Sequence, residues 1–170
     1  TDIVPAEYRV ATTDVLVVGS GGAALRAALE ADSRGAAVLI AIKGEFRKSG
    51  ATYHSVAEVG AFNVPDGASD RSDNPEVFLA DILHAAQEMA DPRLSAILAN
   101  EALEALHYLE QHGVPFERDK ESYLVYQACF SSKPRSHVIP NHFKPIVHAL
   151  GSEATRRNIK VMDRLMITDL

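Results

Sequence analysis

Short apolar runs alternate with short helical patterns along the first part of the chain. Val15-Leu16-Val17-Val18 is apolar and mostly β-branched, follows Asp14 and ends abruptly at Gly19. An unbroken run, rather than an alternating one, predicts a strand buried on both faces, as in a parallel sheet. Gly22 to Asp32 is rich in Ala and Leu and predicts a helix, with Gly35 as its stop. Ala37 to Ile42 is a second apolar run. Strand, helix and strand within about 30 residues make a βαβ unit.

The pattern then breaks. Lys43 to Ser72 holds many Gly, Ser and Asp residues and reads as a long loop, a length that is usually functional or disordered. Asn74-Pro75-Glu76 opens a helix: Asn74 caps, Pro75 suits the first position and Glu76 favours the positive end. This helix is expected to reach about Ala90. Asp91-Pro92 repeats the signal for a helix to about Gln111, closed by Gly113 and Pro115. Leu94, Ile97, Leu98, Ala102, Ala105, Leu106 and Leu109 mark its expected apolar face. Further on, Tyr123 to Phe130 reads as a strand, Ser131 to Asn141 as a loop and Pro145 to Arg157 as a helix. Ile159 to Met162 and Leu165 to Leu170 read as strands. No repeat, low-complexity segment or linker divides the chain. Residues 1–170 are read as one α/β unit with a parallel sheet and a helical insertion at about 74–112.

Composition narrows the function. The chain has 170 residues, 46% hydrophobic and 24% charged, as in ordinary soluble globular proteins. A net charge of −6, with no basic stripe interleaved with aromatics, argues against a nucleic-acid partner. No apolar run approaches the ~20 residues of a membrane span. Cys129 is the single cysteine, so no intrachain disulfide and no CxxC metal motif exists. That fits a reducing compartment, hence a cytoplasmic location, with Cys129 expected as a buried thiol. Thr1 to Arg9 carry no signal-peptide pattern.

Gly19-Ser20-Gly21-Gly22-Ala23-Ala24 has the form GxGxxA between a strand and a helix. Gly19 permits the tight turn, Gly21 lets the backbone approach a pyrophosphate, and Ala24 lets helix and strand pack closely. The helix start then offers free N–H groups and its positive dipole end to phosphates. The acidic residue that usually follows the second strand, to bind the adenosine ribose, is replaced by Ile42-Lys43-Gly44. Three readings remain at this point: no dinucleotide, NADP with Lys43 meeting the 2′-phosphate, or a flavoprotein that dispenses with the acid.

Further motifs follow in a fixed order: Arg47-Lys48-Ser49-Gly50-Ala51-Thr52, then Ala57-Glu58-Val59-Gly60, then Gly113-Val114-Pro115-Phe116. With the glycine turn and Lys43, this order resembles the succinate dehydrogenase/fumarate reductase flavoprotein family, which includes L-aspartate oxidase and adenylylsulfate reductase. The resemblance spans nearly the whole chain and implies a Rossmann-like FAD-binding domain, incomplete here. It implies that Gly19, Gly21, Gly22 and Ala23 hold the pyrophosphate, with Ser20 and Ala24 in the same cofactor-binding turn, and that Lys43 lies near the adenosine. Ser49, Gly50, Ala51, Thr52 and Gly60 would lie along the pyrophosphate and the flavin ring. The backbone at Leu165 and Met166 would meet the adenine. Members with covalent flavin carry histidine where this chain has Gly50, so noncovalent FAD is implied. Tyr53 to Val56 looks like a short insertion, and His142-Phe143 stands where the family has Thr-Gly.

The activity implied is hydride transfer between flavin and a small organic acid. The family's substrate-binding arginine and histidines lie beyond this region, in a capping domain and the later flavin domain, so no catalytic residue is expected here. The implied partners are the remainder of the flavoprotein and an electron-transfer subunit. The alternatives are an NADP-dependent dehydrogenase and a non-catalytic nucleotide-binding subunit. His137, His142 and His148 fit no zinc spacing and read as surface or helix-packing residues. Lys133, Arg135, His137 and Lys144 form a basic cluster, read as a solvated loop in preference to an anion site. Glu58 and Asp81 are acids to which the sequence gives no role.

Overall fold

The computed structural model describes residues 10–55 and 59–169. β1 (Val15–Val18) leads through a glycine turn into α1 (Gly22–Ser33), and β2 (Val38–Ala41) follows. β1 and β2 pair in parallel, Val15 opposite Val38 and Val18 opposite Ala41. The βαβ unit is therefore present. All four residues of β2 are buried, as an unbroken apolar run requires.

β3 (Gly60–Asn63) lies inside the segment expected to be loop. α2 (Pro75–Ala86) and α3 (Pro92–Gln111) form the helical insertion. Asn74 accepts from the Val77 N–H at 2.9 Å. Asp91 accepts from Arg93 and Leu94. α2 stops at Ala86, four residues before the expected Ala90, because Gln87 and Glu88 both turn into the left-handed region at φ 46° and 69°. The apolar face of α3 is also rotated from expectation. Leu94, Ile97 and Leu98 are exposed, and the buried stripe is Ser95, Ala99, Ala102, Leu106 and Leu109. Small residues make up the first half of that stripe, which lets neighbouring elements approach closely.

β4 (Arg118–Asp119) and β5 (Ser122–Tyr123) form a small hairpin. The strand expected from Tyr123 to Phe130 shrinks to these ends and to β6 (Val125–Tyr126). β7 (Ser136–Ile139) falls where a loop was expected, and all four of its residues are buried. It pairs antiparallel with β3 and with β6, giving the order β3-β7-β6. The polar residues Ser136 and His137 disguise it in the sequence.

α4 (Lys144–Arg156) packs against α1, and β8 (Lys160–Met162) adds in parallel to the outer side of β2. The parallel sheet runs β1-β2-β8. Residues 165–169 form no strand. Leu25, Ile40, Leu106, Val147 and Leu150 sit at the centre of the core, each at 2% exposure or less. Gly113 closes α3 at φ 84°, and Val114 and Phe116 then turn into that core.

Candidate functional site

The carboxyl ends of β1 and β2 point to one edge of the parallel sheet, and the turn after β1 is built from backbone alone. Gly19 sits at φ 115°, a conformation that side chains disfavour. Its N–H donates to Ala41 O at 2.8 Å, which locks the turn to β2. A Cβ at Gly19 would meet the Ala24 methyl at 3.8 Å, so Ala24 must be small for turn and helix to close up. Gly21 precedes α1, which starts with no side-chain cap and no acid in its first turn. The positive end of α1 is therefore free to receive an anion.

The second turn of the expected site lies directly on the first. Thr52 Oγ1 accepts from the Gly22 N–H at 3.1 Å. Gly50 sits at φ 92°, and a Cβ there would stand 3.6 Å from the Gly21 nitrogen. A Cβ at Gly21 would come within 3.2 Å of Thr52 Oγ1. Residues about 30 apart in sequence thus form one concave backbone surface. Ser49 is held by its hydroxyl donating to Glu45 O at 2.9 Å, and Ala51 is exposed at the turn. Ser20 is 3% exposed, and its Oγ is a buried polar atom with no protein partner. An unpartnered hydroxyl beside open helix N–H groups suits a turn that receives phosphate oxygens.

Lys43 is exposed just past β2. The chain leaving β8 returns beside it: Leu165 N–H donates to Ile42 O at 2.8 Å and Arg164 N–H to Gly44 O at 3.0 Å. Lys43 and Leu165 are thus brought together at the same sheet edge, with the Met166 side chain exposed. Gly60 is placed differently. It is buried in β3, and a Cβ there would lie 2.5 Å from the His142 backbone, so packing alone demands glycine. Ala57 and Glu58 lie outside the described residues.

A cavity of about 480 Å³ opens beside the start of α1, lined by Gly22, Ala23, Arg26, Thr52, Phe62 and Tyr108 among others. The Arg26 guanidinium lies 4.5 Å from the centre of the Tyr108 ring and pairs with Glu30 at 2.9 Å. Sequence reading missed Arg26 and Tyr108. The only signal was the placement of Arg26 one turn into the helix after the glycines.

The basic cluster is not a solvated loop. Arg135 is 0% exposed, with Asp73 accepting at 2.7 Å and Asp81 at 2.6 Å. Lys133 pairs with Asp70 at 2.8 Å. His137 is buried, not a surface or helix-packing residue. Its ring nitrogens face Arg135 O at 3.0 Å and Asp66 Oδ2 at 3.1 Å. Burial pushes the Asp66 carboxyl up, but hydrogen bonds from His137 and the Ala68 N–H outweigh this and hold it below the usual range. Asp81 is likewise raised by burial and lowered further by Ser132 and Arg135. Asp81 is therefore a structural acceptor. Cys129 is exposed, contrary to expectation, because it lies in the irregular segment between β6 and β7. Among the described residues no three potential ligands cluster for a metal.

Residues 14–170 match the FAD binding domain family, so the chain belongs to it. It is 36% identical over 160 residues to the first subunit of the fumarate reductase (CoM/CoB) of Methanothermobacter marburgensis, covering 92% of this chain and 28% of that protein. It is 33% identical over 109 residues to the L-aspartate oxidase of Vibrio cholerae, covering 64% of this chain and 19% of that one. Among solved structures, Mycobacterium smegmatis Sdh1 in complex with UQ1 matches with a TM-score of 0.76 at 26% identity, over 89% of this chain and 27% of that one. The chain thus spans 19–28% of the length of these relatives. It is an FAD-binding domain of the fumarate reductase/succinate dehydrogenase-like kind, and its cofactor is FAD.

Proposed function

We propose that this chain holds the FAD of an oxidoreductase that exchanges a hydride with a small organic acid. The observation that carries the reading is the contact between the two turns, Thr52 Oγ1 accepting from the Gly22 N–H at 3.1 Å. That contact joins the pyrophosphate turn to the Ser49–Thr52 turn, as a bound flavin dinucleotide spanning both would need. When bound, FAD supplies a ring that takes or gives two electrons. In this reading Gly19, Ser20, Gly21, Gly22, Ala23 and Ala24 shape the pyrophosphate turn, and the N–H groups at the open start of α1 beyond Gly22 meet the phosphates, since those of Gly19 and Gly22 are taken by Ala41 O and Thr52 Oγ1. Lys43 and the Leu165–Met166 backbone bound the adenosine end. Ser49, Gly50, Ala51 and Thr52 bring main-chain donors toward the ring, and Gly60 sets the strand behind them.

The flavin is held without a covalent bond, since Gly50 has no side chain to make one. Substrate residues come from the remainder of the flavoprotein. The outer edge of β1 supports that: it has no partner strand among the described residues, and Leu16 and Val18 are 42% and 53% exposed. An open apolar edge of a parallel sheet favours pairing with another strand. An electron-transfer subunit completes the proposed assembly. Among the described residues no helix is long and apolar enough to cross a membrane. A cytoplasmic location is proposed from the single cysteine.

The test is a visible spectrum of the purified protein, repeated on the supernatant after acid precipitation. Flavin absorption that moves to the supernatant is expected. Colour retained in the pellet means a covalent flavin and overturns the assignment of Gly50. Failure to take up added FAD, with uptake of NADPH instead, overturns the cofactor reading.

A further inference from the structure

The first turn of α1 is braced unequally on its two sides. Toward α4, a Cβ at Gly22 would meet Ile146 Cγ2 at 3.7 Å, so the turn lies against that helix. Toward α3 lies the cavity of about 480 Å³, to which α1 contributes Gly22, Ala23 and Arg26, and α3 contributes Ala105, Tyr108 and Leu109. A cavity wall gives a helix no close-packed side chains to lean on. Arg26 reaches α3 at this cavity. Its guanidinium lies 4.5 Å from the centre of the Tyr108 ring, within range of a cation–aromatic contact. Both ends of the contact are fixed. Glu30 holds the guanidinium from α1 at 2.9 Å. Glu30 is shared with Arg34 at 2.8 Å, so one carboxylate serves two cations and cannot cancel both. The Tyr108 ring lies against the His112 ring, with centroids 4.2 Å apart, and His112 Nδ1 donates to Tyr108 O at 2.7 Å.

We propose that Arg26 is a positioning residue for the cofactor: stacked on Tyr108, it ties α1 to α3 and keeps the first turn of α1 aimed at the pyrophosphate. The N–H groups at a helix start bind an anion by direction as well as by charge, so a tilt of that turn weakens their hold. α1 has neither a side-chain cap nor an acid in its first turn to brace it. Thr52 holds the turn at Gly22, its start, and Arg26 holds it one turn further along. Two anchors one turn apart fix the tilt of the helix as well as its place. A helix freed at the second anchor must be aligned by the ligand, at a cost in affinity. This role rests on the reading of α1 as the pyrophosphate helix.

The experiment titrates FAD, followed by quenching of its fluorescence, into the unaltered protein, Arg26→Met, Tyr108→Leu and the double variant. Each single change should weaken binding about three- to fivefold, the size of a partly exposed cation–aromatic contact. The double variant should bind no more weakly than either single one, because both remove the same contact. Arg26→Lys and Tyr108→Phe keep a cation over a ring and should recover affinity. Lys120→Met, on the β4–β5 turn, removes a charge elsewhere and should leave affinity unchanged. Single variants that bind FAD as the unaltered protein does, or losses that multiply in the double variant, overturn the proposal. A second measurement needs no cofactor. The Leu25 N–H donates to Gly21 O at 3.0 Å in the first turn of α1, and its hydrogen exchange should quicken in both single variants. Failure of the unaltered protein to take up FAD sinks the flavin reading alone. Exchange at Leu25 then decides on the tie between the helices, and unchanged rates overturn it.

Discussion

The turn after β1 and the segment from β3 to α2 that straps β7, carrying Asp66, Asp70 and Asp73 in its loop and Asp81 on α2, solve opposite problems. The glycine turn is held by backbone. Gly19 and Gly50 take positive φ, and Thr52 joins the two turns through one hydrogen bond to the Gly22 N–H. Its charges are left for a ligand to complete. The strap is held by side chains and is already complete. Asp66, Asp70, Asp73 and Asp81 take up His137, Lys133 and Arg135, and Ser132 donates twice to Asp81. One region keeps its polar groups open for binding and the other consumes them in holding the fold together. Substitutions in the strap should therefore unfold the protein, and substitutions in the turn should release the cofactor.

The largest effect is expected at Arg135. Its guanidinium is fully buried between Asp73 and Asp81, and Phe78 lies 4.8 Å beneath it. Arg135→Met removes the cation and leaves Asp73 buried without its partner. Breaking a buried pair from one side costs about 3–5 kcal/mol. Urea unfolding monitored by far-ultraviolet circular dichroism measures this, and a loss below ~1 kcal/mol would mean that the strap is dispensable. The double change Asp73→Asn with Arg135→Met should recover part of the loss, because no uncompensated charge then remains at Asp73.

This contrast also explains what was legible in the sequence. The glycine turn could be read because its chemistry needs particular residue types at short fixed spacing. Gly19, Gly21 and Ala24 each meet a steric demand within six residues. The strap could not be read that way. Asp73 and Arg135 are 62 residues apart, and each looks like a loop residue on its own. Ser136 and His137 broke the apolar pattern of β7, so a fully buried strand passed for a loop. His137 is buried because Asp66 reaches it from a distant segment. The α3 face failed for a related reason: Leu94, Ile97 and Leu98 carry the hydrophobic signal, but the smaller Ala99 and Ala102 take the buried positions. The Gly50–Gly21 approach was legible only through resemblance, since nothing local to either glycine announces the other.

Gly60 belongs to neither region and should give the next largest effect. It stands in β3, opposite Ile139 of β7, and its α-carbon faces the His142 backbone. A methyl placed 2.5 Å from three backbone atoms cannot be absorbed by a rotating side chain. Gly60→Ala should cost about 1–3 kcal/mol by overpacking. A change within ~0.5 kcal/mol in urea melts would show that β3 moves freely away from His142.

Acid should separate the regions next. Asp66 and Asp81 are both held below the usual carboxylate range in the folded protein. The unfolded chain therefore binds protons first as pH falls. The stability these groups contribute is whole above the ordinary aspartate pKa of about 4 and is lost as pH falls through their lower folded values. Asp66→Asn removes one of these groups and should lower stability at neutral pH by about 1 kcal/mol. It should also make the acid limb of the stability–pH curve shallower. An unchanged limb would mean that the Asp66–His137 pair does not form in solution.

The smallest effect on stability, and the one most specific to the cofactor, is expected at Thr52. Thr52→Val keeps the shape and deletes the acceptor for the Gly22 N–H. One partly buried hydrogen bond is worth about 0.5–1.5 kcal/mol, so the fold should survive. The two turns are no longer tied, however, and a ligand spanning both must pay to align them. FAD affinity should then fall severalfold while the urea midpoint barely moves. Thr52→Ser restores the acceptor and should restore binding. Arg135→Met is the complement: under conditions where it remains folded, its FAD affinity should match that of the unaltered protein. Equal losses of stability and affinity in both variants would mean that turn and strap form one cooperative unit, and that the division between holding the fold and holding the flavin does not exist.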